Sequence, residues 1–98
     1  MADFQQLINK DEPVLIDFFA TWCGPCKMMP PILEELKERM GDKVSILKID
    51  VDRNQQLARN LNIRGVPTLA LYKQGKMVWR ESGVRPADEL ERVINQHT

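Results

Sequence analysis

The two cysteines of the chain, Cys23 and Cys26, lie three positions apart where a strand pattern changes into a helical pattern. Residues 14–20 are apolar on both alternating faces apart from Asp17, as expected for a central strand covered by helices on both sides. From Pro25 onward, apolar residues recur at helical spacing. This junction favours an α/β protein in which the cysteine pair stands between a buried strand and the start of a helix.

The helix that is expected to begin at Pro25 extends to Met40, with Gly41 as its C-terminal cap. Two further prolines, Pro30 and Pro31, fall inside this span. Each proline ring removes an N–H donor and clashes with the preceding turn. We therefore expect the helix to be kinked at these positions.

The next part of the chain continues the alternation of strand and helix. Residues 44–49 have the pattern of a second buried strand, and either Asp52 or Asn54 could cap a short helix that runs through Asn60. Because a strand, a helix and a strand follow one another, the two strands are expected to be parallel.

The last third of the chain predicts a hairpin and a final helix. Residues 68–73 and 76–80 have strand patterns and are joined by Gln74 and Gly75, which is typical of an antiparallel hairpin. Pro86 is expected to open a helix whose apolar side faces the sheet. Together the elements predict a mixed sheet with helices on both faces.

The position of Cys23 at the start of a helix predicts a reactive thiol. Unpaired N–H groups and the helix dipole stabilise a thiolate there, and in a Cys-X-X-Cys pair the pKa can fall from about 8.5 to about 7. A low pKa also makes Cys23 a good leaving group when Cys26 attacks a mixed disulfide. On this arrangement, Cys23 is expected to be exposed and Cys26 covered.

Two structural alternatives to redox chemistry are a zinc site and a structural disulfide. A structural zinc site needs four ligands, whereas the chain offers two cysteines and His97 near its far end. A structural disulfide between Cys23 and Cys26 would close a loop of only four residues, where the gain in chain entropy is small. Redox chemistry is the favoured interpretation.

Composition limits the classes of partner and compartment. The 98 residues carry 14 Lys plus Arg and 14 Asp plus Glu, so no basic face of the size that binds nucleic acid is expected. Residues 1–98 are expected to form a single domain, and a monomer is expected. The N-terminal residues lack the pattern of a signal peptide and no apolar run is long enough to span a membrane, which favours a cytoplasmic protein.

Two segments carry a family resemblance. Residues 14–27, which read Val-Leu-Ile-Asp-Phe-Phe-Ala-Thr-Trp-Cys-Gly-Pro-Cys-Lys, and residues 63–68, which read Ile-Arg-Gly-Val-Pro-Thr, resemble the thioredoxin family. The resemblance covers about residues 11–95, and the Cys-Gly-Pro-Cys sequence is its most specific part. Phe19 departs from the pattern, because many members have a second tryptophan there.

The resemblance implies a thioredoxin fold with a central mixed sheet of about four strands, without the extra N-terminal strand of longer members. It also implies a protein dithiol–disulfide oxidoreductase that reduces disulfides in client proteins and receives electrons from thioredoxin reductase. The redox-active disulfide Cys23–Cys26 would carry the electrons, so no bound cofactor is expected. A disulfide-forming oxidant and a non-catalytic binding subunit or holdase are the alternatives.

The resemblance also assigns roles to single residues. Cys23 would attack the client disulfide, Cys26 would resolve the mixed disulfide, and Asp17 would take the proton from Cys26. Lys48 matches a buried lysine of the family and could pair with Asp17; the alternative is an edge lysine that reaches solvent.

A client-docking surface is expected around the thiols. The resemblance predicts a cis bond before Pro67, facing the cysteines, with the Val66 backbone free to pair with an extended client segment. The remaining members of the predicted surface are small or apolar: Trp22, Gly24, Pro25, Gly83 and Val84. For Gly83 and Val84 the alternative is an ordinary turn.

Overall fold

The computed structural model describes residues 3–98, which fold around one four-stranded sheet. The strands are β1 (Val14–Phe19), β2 (Ser45–Asp50), β3 (Thr68–Lys73) and β4 (Lys76–Ser82), in the spatial order β2-β1-β3-β4. Strand β1 is parallel to β2 and antiparallel to β3, and β3 is antiparallel to β4. The predicted mixed sheet and the parallel pairing of its first two strands are confirmed.

Four helices cover the two faces of the sheet: α1 (Phe4–Ile8), α2 (Met29–Met40), α3 (Gln55–Asn60) and α4 (Ala87–Gln96). On one face, α2 and α4 pack their buried side chains against Leu15 of β1. On the other face, Ile8 of α1 and Leu57 of α3 pack with Ile16 and Phe18. Strand β1 is therefore buried on both faces, which explains its nearly continuous apolar sequence.

The cysteine-bearing segment is organised differently from the prediction of one kinked helix. Pro25–Met28 form a 3₁₀ turn, and α2 begins afterwards at Met29. Pro30 and Pro31 consequently lie in the first turn of α2, where an N–H has no partner within the helix to lose. The predicted start at Pro25 is wrong, and the prolines help to begin α2 instead of interrupting it.

The starts of α1 and α3 differ from the sequence predictions. Helix α1 has only five residues, too few for a recognisable period, and is capped by Asp3, whose side chain accepts a hydrogen bond of 3.0 Å from the Gln6 N–H. Helix α3 begins without a side-chain cap, because Asn54 Nδ2 donates to the Asp50 carbonyl and Asp52 is bound elsewhere. Asn54 stands at the predicted N-cap position of α3, but the expected side-chain cap hydrogen bond is not formed.

The hairpin and the last helix are confirmed. Gln74 and Gly75 connect β3 to β4 with φ values of 50° and 83°, as a two-residue type I′ turn requires. The Gly75 N–H donates to the Ile8 carbonyl at 3.2 Å, which ties the hairpin to α1. Pro86 stands immediately before α4, and the apolar side of α4 is buried against the sheet.

Candidate functional site

Cys23 and Cys26 form a disulfide at the start of the helical segment, with their Cα atoms 5.3 Å apart. Cys23 is placed by a turn after β1, in which its N–H donates to the Ala20 carbonyl at 3.3 Å. The Cys26 N–H, at the start of the 3₁₀ turn, lies 3.1 Å from Cys23 Sγ and donates to it. The sulfur of Cys23 therefore receives a backbone donor that would also stabilise a thiolate.

The two cysteines do not differ in exposure. Cys23 is 4% exposed and Cys26 is 5% exposed, and both pack with Ala20, Val51 and Val66. The expectation of an exposed Cys23 and a covered Cys26 is wrong for this disulfide state. What separates the two sulfurs is the N–H that points at Cys23.

Asp17 is buried in β1, on the face of the sheet that α2 covers. Its side chain is fully buried, and neither carboxylate oxygen has a hydrogen-bond partner among residues 3–98. Burial raises the pKa of Asp17 from 3.8 to about 6, and the positive charge of Lys48 opposes this shift. A carboxyl group with such a pKa can accept and release a proton near neutral pH.

Lys48 is next to Asp17 in the sheet but is not buried with it. The two residues are directly paired in the parallel register of β1 and β2. Strand β2 is at the edge of the sheet, and Lys48 is exposed, with its Nζ 4.9 Å from the centre of the Phe19 ring. The expectation of a buried lysine paired with Asp17 is wrong; Lys48 acts on Asp17 through its charge alone.

The loop before β3 lies against the disulfide. The Val66–Pro67 bond is cis, which confirms the prediction, and the Val66 carbonyl oxygen is 3.6 Å from Cys23 Sγ. Thr68, which the sequence did not single out, is fully buried and donates from Oγ1 to the Gly65 carbonyl at 2.6 Å. The Gly83 N–H donates to the Pro67 carbonyl at 2.8 Å, so that the end of β4 also holds this loop.

The predicted docking surface is partly assembled around the disulfide. Trp22 is 70% exposed, Gly24 and Pro25 are exposed, and Val66 is half-buried beside Cys23. The Trp22 indole N–H donates to Asp52 Oδ2 at 2.8 Å, which fixes the ring direction while much of the side chain stays in solvent.

Gly83 and Val84, the last two predicted members of the surface, are fixed by packing and by backbone conformation. Val84 is half-buried and packs against the cluster under α2 and α4. Gly83 has φ +96°, a conformation that favours glycine, in the short connection to α4. The turn interpretation therefore also describes this pair well.

Asp52 is the functional neighbour that sequence reasoning missed. The sequence suggests only a helix-capping role for Asp52, which lies 30 positions from Trp22 in the chain. The signal that could have found it is an acidic residue in the loop directly after β2, because the parallel register brings that loop to the end of β1.

The described residues contain neither a metal-binding cluster nor a membrane-spanning helix. Between residues 3 and 98, no three His, Cys, Asp or Glu side chains come together as a metal site would require. None of the helices in this part of the chain is long and apolar enough to cross a membrane.

A disulfide at the start of a helix, packed against a cis-proline loop and preceded by a strand with a buried carboxyl group, defines a protein of thiol–disulfide exchange. The thioredoxin family model matches residues 1–96. A thioredoxin of Alicyclobacillus acidocaldarius is 48% identical over 93 residues, which cover 95% of this chain and 89% of that protein. The chain belongs to the thioredoxin family and is a protein dithiol–disulfide oxidoreductase.

Solved structures agree with this assignment. A mutant thioredoxin from Halobacterium salinarum superposes with a TM-score of 0.89 at 39% identity, covering all of this chain and 85% of that one. A second structure, described as the basis of thiol resolution in a yeast mitochondrial 1-Cys peroxiredoxin via glutathione and thioredoxin systems, has a TM-score of 0.84 at 35% identity. It covers 95% of this chain and 86% of that one.

Proposed function

We propose that Cys23 is the attacking thiol and Cys26 the resolving thiol in the reduction of client disulfides. The observation that carries this order is the Cys26 N–H, which points at Cys23 Sγ from 3.1 Å. A donor in this position stabilises negative charge on Cys23, both in the attacking thiolate and when Cys23 leaves the mixed disulfide.

The reaction has two exchange steps. The Cys23 thiolate attacks one client sulfur, so that a Cys23–client disulfide forms and the other client sulfur leaves as a thiolate. Cys26 then loses its proton and attacks the sulfur of Cys23, which forms the Cys23–Cys26 disulfide and releases the second client thiolate. The protein gives two electrons to the client, and the client sulfurs take up two protons.

Asp17 is the proton acceptor that we propose for Cys26. With a pKa of about 6, Asp17 is mostly ionised at pH 7. Because this pKa is close to the working pH, the carboxylate can also hold a proton briefly. Lys48 assists by its charge, which opposes the effect of burial on Asp17 and so keeps part of the group ionised. No bound cofactor is needed, since the two thiols carry the electrons.

Clients would dock at the loop that ends in the cis proline. The Val66 backbone beside Cys23 would pair with an extended client segment, next to the exposed Trp22, Gly24 and Pro25. Pro67, Gly83 and Val84 would support this surface from below, through the Gly83–Pro67 hydrogen bond.

Membership of the thioredoxin family suggests the partners and the compartment of this protein. We propose a cytoplasmic monomer that receives electrons from thioredoxin reductase and acts on disulfide-containing proteins, without nucleic acid or membrane partners. A peroxiredoxin is a suitable client class, because one is named with the related yeast structure. That peroxiredoxin is described as mitochondrial, and a localisation experiment tests the proposed cytoplasmic compartment separately.

The proposal is tested by insulin reduction, with thioredoxin reductase and NADPH as the electron source. We expect the wild-type chain to support continuous turnover and the Cys23→Ser/Cys26→Ser variant to support none. A folded double variant that retained the wild-type rate would show that the thiols are incidental and would favour the binding-subunit or holdase alternative.

A further inference from the structure

The outer edge of β2 has backbone groups that no described strand uses. Strand β2 is at one end of the sheet order. The Ser45 and Val51 N–H groups donate inward to carbonyls of Pro13 and Phe19. Because N–H and C=O groups alternate in direction along a strand, those of residues 46 and 48 point outward.

Side chains close the two ends of this edge. At the start, Lys37 Nζ donates to the Val44 carbonyl at 2.8 Å. At the finish, Asn54 Nδ2 donates to the Asp50 carbonyl at 2.9 Å. The open part of the edge is therefore a short row of donors and acceptors centred on Ile46 and Lys48, which suits a single short extended segment.

A groove of about 520 Å³ runs between this edge and α2. Its apolar lining includes Leu33 of α2 and Ile46 of β2. Three lysines also line it, namely Lys10, Lys37 and Lys48, and Glu34 is the acidic residue of the lining. The groove is thus an apolar channel with an excess of positive charge.

Among residues 3–98, no carboxylate forms a direct ion pair with these three lysines, although the charge of Lys48 acts on Asp17. The ion pairs in this part of the chain are all made by Arg39 and Arg85. Lys37 is bound to neutral carbonyls and Lys48 lies over an aromatic ring. Glu12, near the start of β2, accepts a hydrogen bond from the Ser45 hydroxyl. A backbone hydrogen bond and this hydroxyl lower the pKa of Glu12, and the charges of Lys10 and Lys37 lower it to a smaller degree.

We propose that the outer edge of β2 binds an extended acidic segment of a partner protein by strand addition. Backbone hydrogen bonds to Ile46 and Lys48 would supply the pairing, and carboxylates facing the groove would meet the lysines. A second copy of this chain is a poorer occupant, because its own Lys37 and Lys48 would come to the same edge and repel their counterparts. This surface is distinct from the cis-proline loop.

The test uses three labelled, end-blocked hexapeptides and fluorescence anisotropy with the complete oxidised chain. The first alternates Glu with Val, the second alternates Lys with Val, and the third is the Glu peptide with alternate backbone amides N-methylated. We expect the first to bind at least about tenfold more tightly than either other peptide, because it alone offers both carboxylates and a full row of donors.

Matched variants locate the binding. Ile46→Pro removes an outward N–H without removing a hydrogen bond to β1, whereas Ile46→Val keeps that N–H. Lys10→Glu reverses a groove charge, whereas Lys43→Glu makes the same charge change outside the lining. We expect Ile46→Pro and Lys10→Glu each to weaken binding at least about fivefold, and their two controls to change it less than about twofold.

Amide NMR shifts provide an independent readout of the site. We expect the Glu peptide to shift the signals of residues 46 and 48 more than those of residues 65–67. Equal binding of all three peptides, largest shifts at residues 65–67, or loss of binding in the controls would overturn the proposal. Concentration-dependent shifts at β2 without peptide would overturn it in favour of a second copy.

Discussion

At the scale of single residues, the two sulfurs are distinguished by their hydrogen bonding and not by their exposure. Cys23 and Cys26 are almost equally buried, but the Cys26 N–H donates to Cys23 Sγ. A backbone donor of this kind stabilises the thiolate over the thiol. The proposed order of attack therefore rests on a hydrogen bond that the residue types and their spacing alone could not show.

Alkylation of the reduced protein tests that cause. At pH 7 and limiting iodoacetamide, we expect Cys23 to be modified at least about fivefold faster than Cys26, because its thiolate is the more populated. Peptide mass mapping at several times gives the two rates, with the urea-unfolded chain as the control in which the rates converge. Faster labelling of Cys26 in the folded protein would reverse the assignment.

Asp17 connects stability to pH in a second test at this scale. Its folded pKa of about 6 is above the unfolded value of 3.8, so the ionised group disfavours folding above pH 6, and this cost disappears as pH falls below about 4. We expect Asp17→Asn to raise the free energy of unfolding at pH 7 by about 1–3 kcal/mol and to leave it nearly unchanged at pH 4.

Denaturant unfolding at both pH values measures this difference, and exposed Asp42→Asn is the control, with an expected change below about 0.5 kcal/mol at pH 7. The resolving step should slow at least about tenfold in Asp17→Asn, because Cys26 loses its proton acceptor. A variant that is less stable at pH 7 and resolves mixed disulfides at the original rate would contradict both roles of Asp17.

At the scale of elements, the sequence predicted those strands and turns whose conformation depends on nearby residues. Strand β1 was placed within one residue of its observed end, because burial on both faces makes nearly every position apolar. The hairpin was indicated by Gln74 and Gly75 between two strand patterns, and the φ of 83° at Gly75 suits glycine. Helix α1 was not predicted, because five residues are too short to show a period.

Other features depend on which elements become neighbours, and no local pattern carries that information. The sequence could not show that Lys48 lies on an edge strand, so its exposure was not foreseen. The Asp52 bond to Trp22 forms across 30 positions, because β1 and β2 end side by side. Likewise, the edge groove along β2 became visible only when the strand order was known.

The turn between β3 and β4 gives a test at this scale. We expect Gly75→Ala to lower the free energy of unfolding by about 1–2 kcal/mol, because a Cβ disfavours the positive φ at this position. Gly65→Ala is the matched control, since a Cβ there meets no atom within 4 Å, and should change stability by less than about 0.5 kcal/mol. Equal effects of the two substitutions in urea melts would argue against the type I′ assignment.

At the scale of the whole molecule, charge is balanced overall and uneven locally. The chain has equal numbers of basic and acidic residues, and Trp22, Pro25 and Val66 of the predicted docking surface are uncharged, with Asp52 bonded to Trp22 at its border. The groove along β2 instead concentrates lysines. Encounter with clients at the thiols should therefore depend little on long-range electrostatics, unlike peptide binding at the groove.

Ionic strength separates the two surfaces. Between about 50 and 300 mM NaCl, we expect kcat/KM for insulin to change less than about twofold, and the affinity for the acidic hexapeptide to fall at least about threefold. Parallel titrations of one protein preparation compare them directly. A steep salt dependence of insulin reduction would contradict the uncharged docking surface.

The order of thiol attack is tested most directly by trapping mixed disulfides with single-cysteine variants. Reduced Cys26→Ser and Cys23→Ser are each mixed with insulin, quenched in acid and examined by intact-protein mass spectrometry. The mechanism predicts that Cys26→Ser accumulates a covalent adduct through Cys23, because no resolving thiol is present, and that Cys23→Ser forms at least about tenfold less. Equal adduct yields, or a larger yield from Cys23→Ser, would contradict the order of attack and resolution.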